Sequence, residues 1–308
     1  MIYWGDKPYV SLDYTLKTTY GHKIYRLALD AGMTCPNRDG TLGTSGCIFC
    51  SAGGSGDFAS SRNLSITDQI EAGIASISSK RPCKDYIAYF QAFTNTYAPL
   101  PYLRKLYMEA ISHPKVRIIA IGTRPDCLSK EVLELLDECN KIKPVWIELG
   151  LQTIHPETAR YIRRGYDLSC FEEAVCNLRK LNIDVIVHVI LGLPGESKSM
   201  MLKTIDYLGT KDIQGIKLQL LHVLEGTDLA KDFREHPFTL FTQDDYCNFI
   251  CDCIEHLPPS ITIHRLTGDG PKKDLIGPTW SSNKRTVLNQ IHKTLKERGS
   301  YQGKYLDH

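Results

Sequence analysis

Apolar strand-like runs alternate with amphipathic helical ones along most of the chain. The strand candidates are Lys23–Leu29, Tyr86–Gln91, Val116–Gly122, Pro144–Leu151, Ile183–Leu193 and Gly215–Val223. Amphipathic stretches lie between them at Thr67–Ser79, Pro101–Ser112, Ser129–Cys139, Phe171–Leu181 and Lys198–Leu208, and a further helix is expected over Thr242–His256. Runs such as Asp184-Val-Ile-Val-His-Val-Ile-Leu are apolar almost throughout rather than at every second residue. Strands of that kind are buried on both faces, as in parallel sheets covered by helices. Six β-α units in a row predict an α/β fold, a partial (β/α)6 TIM-like barrel, with a doubly wound sheet as the alternative. The expected division is an N-terminal extension over 1–22, a core barrel over 23–257, and a basic C-terminal extension over 258–308 packed on the core. In either architecture chemistry collects where strands end and helices begin.

Composition narrows the classes. A chain of 308 residues with a hydrophobic fraction of 42% has material for one large core. Its 37 basic and 35 acidic residues nearly cancel, so global charge neither requires nor excludes nucleic acid. No apolar run approaches a membrane span, and Met1-Ile-Tyr-Trp-Gly-Asp-Lys lacks the pattern of a signal peptide. A soluble, cytoplasmic protein with no membrane partner is expected.

The chemistry centres on Cys35-Pro-Asn-Arg-Asp-Gly-Thr-Leu-Gly-Thr-Ser-Gly-Cys47-Ile-Phe-Cys50, where three of the 11 cysteines fall within 16 residues just after the first strand. Gly40, Gly43 and Gly46 let that loop wrap closely around a ligand. Three soft thiolates in such a loop make a metal or iron–sulfur site the leading reading. Zinc completed by a distant ligand and plain buried cysteines stay open as alternatives. Eight further scattered cysteines suit a reducing compartment and argue against disulfides. Cys247 and Cys251 share a face of the Thr242–His256 helix, with Cys253 turned away, a pattern that core packing explains.

Other strand ends are rich in polar groups. They include Phe90-Gln-Ala-Phe-Thr-Asn-Thr-Tyr97, Gly122-Thr-Arg-Pro-Asp-Cys127, Glu148 with Gly150-Leu-Gln-Thr153, Gly192-Leu-Pro-Gly-Glu-Ser197 and His222-Val-Leu-Glu-Gly-Thr227. Arg124 and Glu148 read individually as structural, and the Gly192 turn as a helix start. Five polar ends on one rim with a three-thiol loop point to a site.

These motifs, together with Tyr20-Gly-His-Lys-Ile-Tyr-Arg, Arg164-Gly-Tyr, Leu220-Leu-His-Val-Leu-Glu-Gly-Thr and Arg265-Leu-Thr-Gly-Asp-Gly, resemble radical S-adenosylmethionine (SAM) enzymes of the YtqA/YhcC-like group related to the elongator catalytic subunit. The resemblance spans nearly the whole chain and implies the partial barrel of the radical SAM type. The eleven residues between Cys35 and Cys47, against three in the commonest signature, are typical of the elongator-like branch. The resemblance further implies that Cys35, Cys47 and Cys50 are catalytic and hold a 4Fe-4S cluster whose fourth iron binds SAM. It implies SAM contacts from Phe49, Gln91, Thr94, Asn95, Glu148, Gln152, Arg160 and Gly192. The usual Gly-Gly-Glu-like pattern is replaced here by Gln91-Ala92-Phe93.

The same group is similar to enzymes of the tRNA wobble uridine. Its relative MnmL implies conversion of 5-carboxymethylaminomethyluridine to 5-aminomethyluridine, fed by a reductase or flavodoxin-type electron donor and followed by a methyltransferase. Arg124, Arg164, His188 and His222 are the substrate candidates. For RNA the sequence offers Arg160, Arg163 and Arg164, a tail with Lys272, Lys273, Lys284, Arg285, Lys293, Lys296 and Arg298, and stacking candidates Tyr166, Trp280 and Tyr301. The alternatives are a porphyrinogen-oxidase-like enzyme of a small molecule and a zinc-stabilised RNA-binding protein without catalysis.

Overall fold

Serine and threonine side chains start most of the helices, and near-continuous apolar runs form the strands between them. In a computed structural model describing residues 2–54, 56, 59–79, 83–268 and 270–306, Ser65, Ser129, Ser197 and Thr242 each accept a hydrogen bond from the first turn of the helix that follows. Asp269, part of the Arg265–Gly270 motif, lies outside the described residues.

In chain order the elements are α1 (Leu12–Tyr20), β1 (Tyr25–Leu29), α2 (Ile66–Ser78), β2 (Tyr86–Phe90), α3 (Leu100–Ser112), β3 (Val116–Thr123), α4 (Lys130–Ile142) and β4 (Val145–Gln152). They continue with α5 (Pro156–Tyr161), α6 (Leu168–Lys180), β5 (Asp184–Leu191), α7 (Lys198–Gly209), β6 (Gly215–Leu220), β7 (Val223–Leu224), α8 (Asp228–Glu235), α9 (Gln243–His256), β8 (Thr262–Arg265), β9 (Leu275–Gly277) and α10 (Lys284–Glu297). Seven strands form one parallel sheet in the order β1-β2-β3-β4-β5-β6-β8, curled into a half-barrel, and β7 pairs antiparallel with β9.

The six expected strands are present, with a seventh in the stretch assigned to the C-terminal extension. β8 is only four residues long with Ile263 its one apolar residue, too weak a pattern to announce a strand. Its backbone joins β6, and a single bridge from Ser11 to Ile263 lays the N-terminal segment beside it. The edge strands β1 and β8 also meet across the barrel through Arg26 Nη2 and His264 Nδ1, 2.9 Å apart.

The sheet has two differently packed faces. Outward residues such as Tyr86, Ala88, Phe90, Ile147, Leu149, Val185 and Val187 pack under the helices in the main core. Cys247, Cys251 and Cys253 belong to that core, all fully buried on α9. Inward residues Ile87, Tyr89, Ile118, Ala120, Trp146 and Ile186 form a separate apolar cluster with Leu16 of α1, which stoppers the end of the barrel where the strands begin. Among the described residues no helix is long and apolar enough to cross a membrane.

Candidate active site

β1 delivers the chain into the cysteine loop, and side chains next to the cysteines fold it. The amides of Arg38 and Asp39 turn back onto the Cys35 carbonyl, and the Cys50 amide onto that of Cys47. Buried Asn37 donates through Nδ2 to the Arg163 carbonyl at 2.7 Å and to Cys47 Sγ at 3.4 Å. Arg38 donates to the carbonyls of Cys50 and Ser51 at 3.1 and 2.6 Å. Gly54, at φ +55°, lies so close to Phe93 that an added Cβ would sit 2.4 Å from the ring. Only glycine lets the loop press onto the rim of β2 there.

The three cysteines are free thiols lining one chamber of about 170 Å³. Burial, and then Cys50 beside it, push the Cys47 thiol up to about 11, against the pull of Asn37 and Arg124. A bound metal reverses that direction, because a coordinating thiol is deprotonated. Among the described residues, no three His, Cys, Asp or Glu side chains converge on a point that would hold a single metal ion. Three thiols in one chamber suit a cluster that leaves one iron without a protein ligand, whereas a structural zinc site needs a fourth protein ligand.

Below the thiols the barrel interior carries a layer of paired charges. Glu148, on β4, accepts from Arg26 Nη1 through Oε1 at 2.7 Å, and from His188 Nε2 at 2.8 Å and Lys217 Nζ through Oε2. Gln219 Nε2 donates to His188 Nδ1 at 3.2 Å, which fixes His188 as the Nε2–H tautomer. Lys217 also reaches the Tyr89 hydroxyl at 3.4 Å. Burial opposes the Glu148 charge, but Lys217 and Arg26 outweigh it and hold the carboxyl well below the usual range. Burial and then Lys217 push His188 down to about 4 from its ordinary 6.5. The folded protein therefore keeps His188 neutral where the unfolded chain would protonate it. Between pH 6.5 and about 4 the unfolded state binds more protons, so stability falls as the pH drops through that window. Urea titrations of a His188→Gln protein should show a flatter dependence across the same interval.

A second cavity of about 760 Å³ adjoins the chamber and shares Phe49, Cys50, Gln91, Gln152, His188, Gln219 and Arg265 with it. Its walls extend to His222, Lys272 and Lys284.

Comparison with known proteins places this arrangement. Residues 35–208 match the description "Radical SAM superfamily", and residues 213–297 match "Radical SAM C-terminal domain". The chain belongs to the radical SAM superfamily. It is 46% identical over 300 residues to the uncharacterized protein YtqA of Bacillus subtilis, covering 97% of this chain and 93% of YtqA. A partial match, 29% identical over 156 residues, joins 50% of this chain to 33% of the tRNA uridine(34) acetyltransferase of Dehalococcoides mccartyi. The structure of Methanocaldococcus infernus Elp3 superposes with a TM-score of 0.70 at 17% identity, over 91% of this chain and 64% of that one, a likeness of fold. Radical SAM enzymes use a 4Fe-4S cluster and SAM, and the three-thiol chamber fits that donor set.

The residues expected to serve a radical SAM site divide by position. Phe49, Gln91, Gln152 and His188 line both cavities; Thr94, Glu148, Arg124 and Arg164 line the chamber; His222 lines the larger cavity. Gln152 is held at φ +67°, and its Oε1 is buried without a hydrogen-bond partner. Others stand elsewhere. Arg160 is exposed on α5, paired with Glu157 at 2.8 Å. Gly192 lines a separate cavity of about 420 Å³. Asn95 lines neither of the two joined cavities; its Nδ2 ties the carbonyls of Phe90 and Gly122 together at 3.1 and 3.0 Å.

Arg160, Arg163 and Arg164, considered for RNA, all have partners within the chain, and only Arg164 is buried. Arg163 pairs with Asp228 at 2.7 Å, and buried Arg164 donates to the carbonyls of Leu151, Thr153 and Tyr166. Tyr166 is covered by Arg124 and Arg164, with ring distances of 5.0 and 4.8 Å, and Trp280 donates to the Phe241 carbonyl. Of the tail, Arg298 pairs with Asp252 and Lys293 with Glu297. Lys272 and Lys284 stand at the larger cavity. Arg26, Tyr89, Lys217, Gln219 and His264 were not among the expected site residues. The polar 217 and 219 positions, two apart in an otherwise apolar strand, were the available signal.

Proposed function

We propose that this radical SAM enzyme acts on the wobble uridine of tRNA and converts 5-carboxymethylaminomethyluridine to 5-aminomethyluridine. The observation that carries the reading is the 760 Å³ cavity joined to the three-thiol chamber, walled by polar and basic groups. Its volume suits one nucleotide and not a stem, as expected for an anticodon base splayed from its stack. The partial match to a tRNA uridine(34) acetyltransferase supports the same class of substrate.

In this reading Cys35, Cys47 and Cys50 hold the cluster, and SAM lies against Phe49, Gln91, Thr94 and Gln152. When bound, that pair supplies a 5′-deoxyadenosyl radical that removes hydrogen from an unactivated C–H bond. The chain's own work is to bind, orient and keep dry. The apolar stopper beneath the ionic layer closes the far end to water, while Gln219, which braces His188, lines both cavities and offers hydrogen bonds to the base or its side chain. A reductase or flavodoxin-type protein would supply electrons, and a methyltransferase would act on the product.

Nucleoside mass spectrometry of tRNA from cells lacking this gene tests the reading. Accumulation of the carboxymethylaminomethyl form with loss of the aminomethyl form is expected; an unchanged profile removes it.

A further inference from the structure

We propose that the ionic layer at the floor of the chamber is a carboxylate receptor, with Lys217 as the residue that contacts the ligand. The inference takes its natural ligand, the carboxymethylamino side chain of the modified base, from the function proposed above.

β6 sends Ile216, Leu218 and Leu220 to the outer core and leaves Lys217 and Gln219 for the interior. Lys217 is 2% exposed. A charge so placed is costly unless it is well paired: burial pushes the Lys217 ammonium well below its usual range, and Glu148 is the main group that opposes the shift. Its pairing is incomplete. Its partners are Glu148 Oε2 and the Tyr89 hydroxyl, two contacts for three N–H donors. Among the described residues Glu148 is also the sole carboxylate hydrogen-bonded to Arg26, and it accepts from His188 as well. One anion is thus shared by two cations. Burial keeps both His188 and His264 on the neutral side, so they add no further positive charge to the layer. Arg26 Nε adds a buried donor without a partner.

Among the described residues the hydrogen bonds of the layer set one carboxylate against Arg26 and Lys217, and Arg265 of the same chamber is a further cation. The chamber also holds a buried acceptor without a partner, Gln152 Oε1. A ligand carrying both an N–H and a carboxylate, –CH2–NH–CH2–COO⁻, brings an acceptor for Lys217 and a donor for Gln152 Oε1, both of which line the chamber. The carboxylate of SAM is the other source of the same chemistry, so a test must separate the two.

The probe is N-benzylglycine, which carries that side chain on a benzene ring, with benzylamine as the analogue lacking the carboxymethyl group. Calorimetric titration of the reconstituted holoenzyme should give a Kd at least tenfold lower for N-benzylglycine. Lys217→Met should abolish the preference while changing SAM affinity less than twofold, and Lys217→Arg should keep part of it. Iron content and melting temperature report whether Lys217→Met is folded. If it is not, Lys217→Gln, which keeps a donor for Glu148, should lose the preference equally. Absence of a preference in the wild type, or its survival in the folded variant, overturns the receptor. A tenfold loss of SAM affinity with the probe preference intact overturns the assignment to substrate. An unchanged tRNA nucleoside profile strikes only the uridine reading and leaves the probe result to be judged alone.

Discussion

Replacing Cys47 with alanine should yield a folded, colourless protein whose SAM cleavage falls to the uncatalysed background. The loop does not rely on that sulfur for its shape: Asn37 still grips the Arg163 carbonyl and Arg38 the carbonyls of Cys50 and Ser51. What disappears is one of three soft donors, and a cluster with an iron reserved for SAM has no protein ligand to spare. Cys35→Ala and Cys50→Ala should behave alike. Cys83→Ala and Cys251→Ala are the controls. Cys251 is buried in the outer core, so its truncation should cost about 1–2 kcal/mol of stability and leave iron and sulfide content unchanged. Anaerobic reconstitution with iron and sulfide analysis distinguishes these outcomes, and SAM cleavage persisting in Cys47→Ala would falsify the ligand assignment.

The second large effect is on stability. Glu148→Ala removes the carboxylate that Arg26, Lys217 and His188 all address, leaving two cations in the barrel interior. Breaking a buried pair from one side typically costs about 3–5 kcal/mol. For a chain of this size that amounts to a melting temperature lower by roughly 5–15 °C. Adding Lys217→Met to Glu148→Ala should recover part of the loss, because the second change removes one of the stranded charges. A Glu148→Ala protein that melts with the wild type would mean that water reaches the layer and screens it.

Much of the scaffold was legible because parallel strands covered by helices leave near-continuous apolar runs, and all six appear within two or three residues of their expected ends. β6 broke earlier than expected, with its last apolar residues passing to the two-stranded β7–β9 ribbon. Four helices went unread: α1, α5 and α8 are nine residues or fewer, whereas α10 carries buried Val287, Ile291 and Leu295 at helical spacing within a strongly charged stretch. The thiol loop was legible from spacing alone. The ionic layer was not, because its meaning lies in pairings between residues 122 and 69 positions apart. Glu148 was visible singly, but nothing local announced that both its oxygens would be occupied. Of the rim arginines, Arg160 and Arg124 have acidic partners three and two residues away, whereas the Arg163 partner, Asp228, lies 65 positions on and left no local trace.

The stopper formed by Leu16 with Ile87, Ile118 and Trp146 closes one end of the interior and makes it a well. A well of that kind imposes sequence on traffic. Whatever lodges deepest must arrive first and depart last, so a large molecule resting over the opening would trap the small one beneath it until the large one lets go.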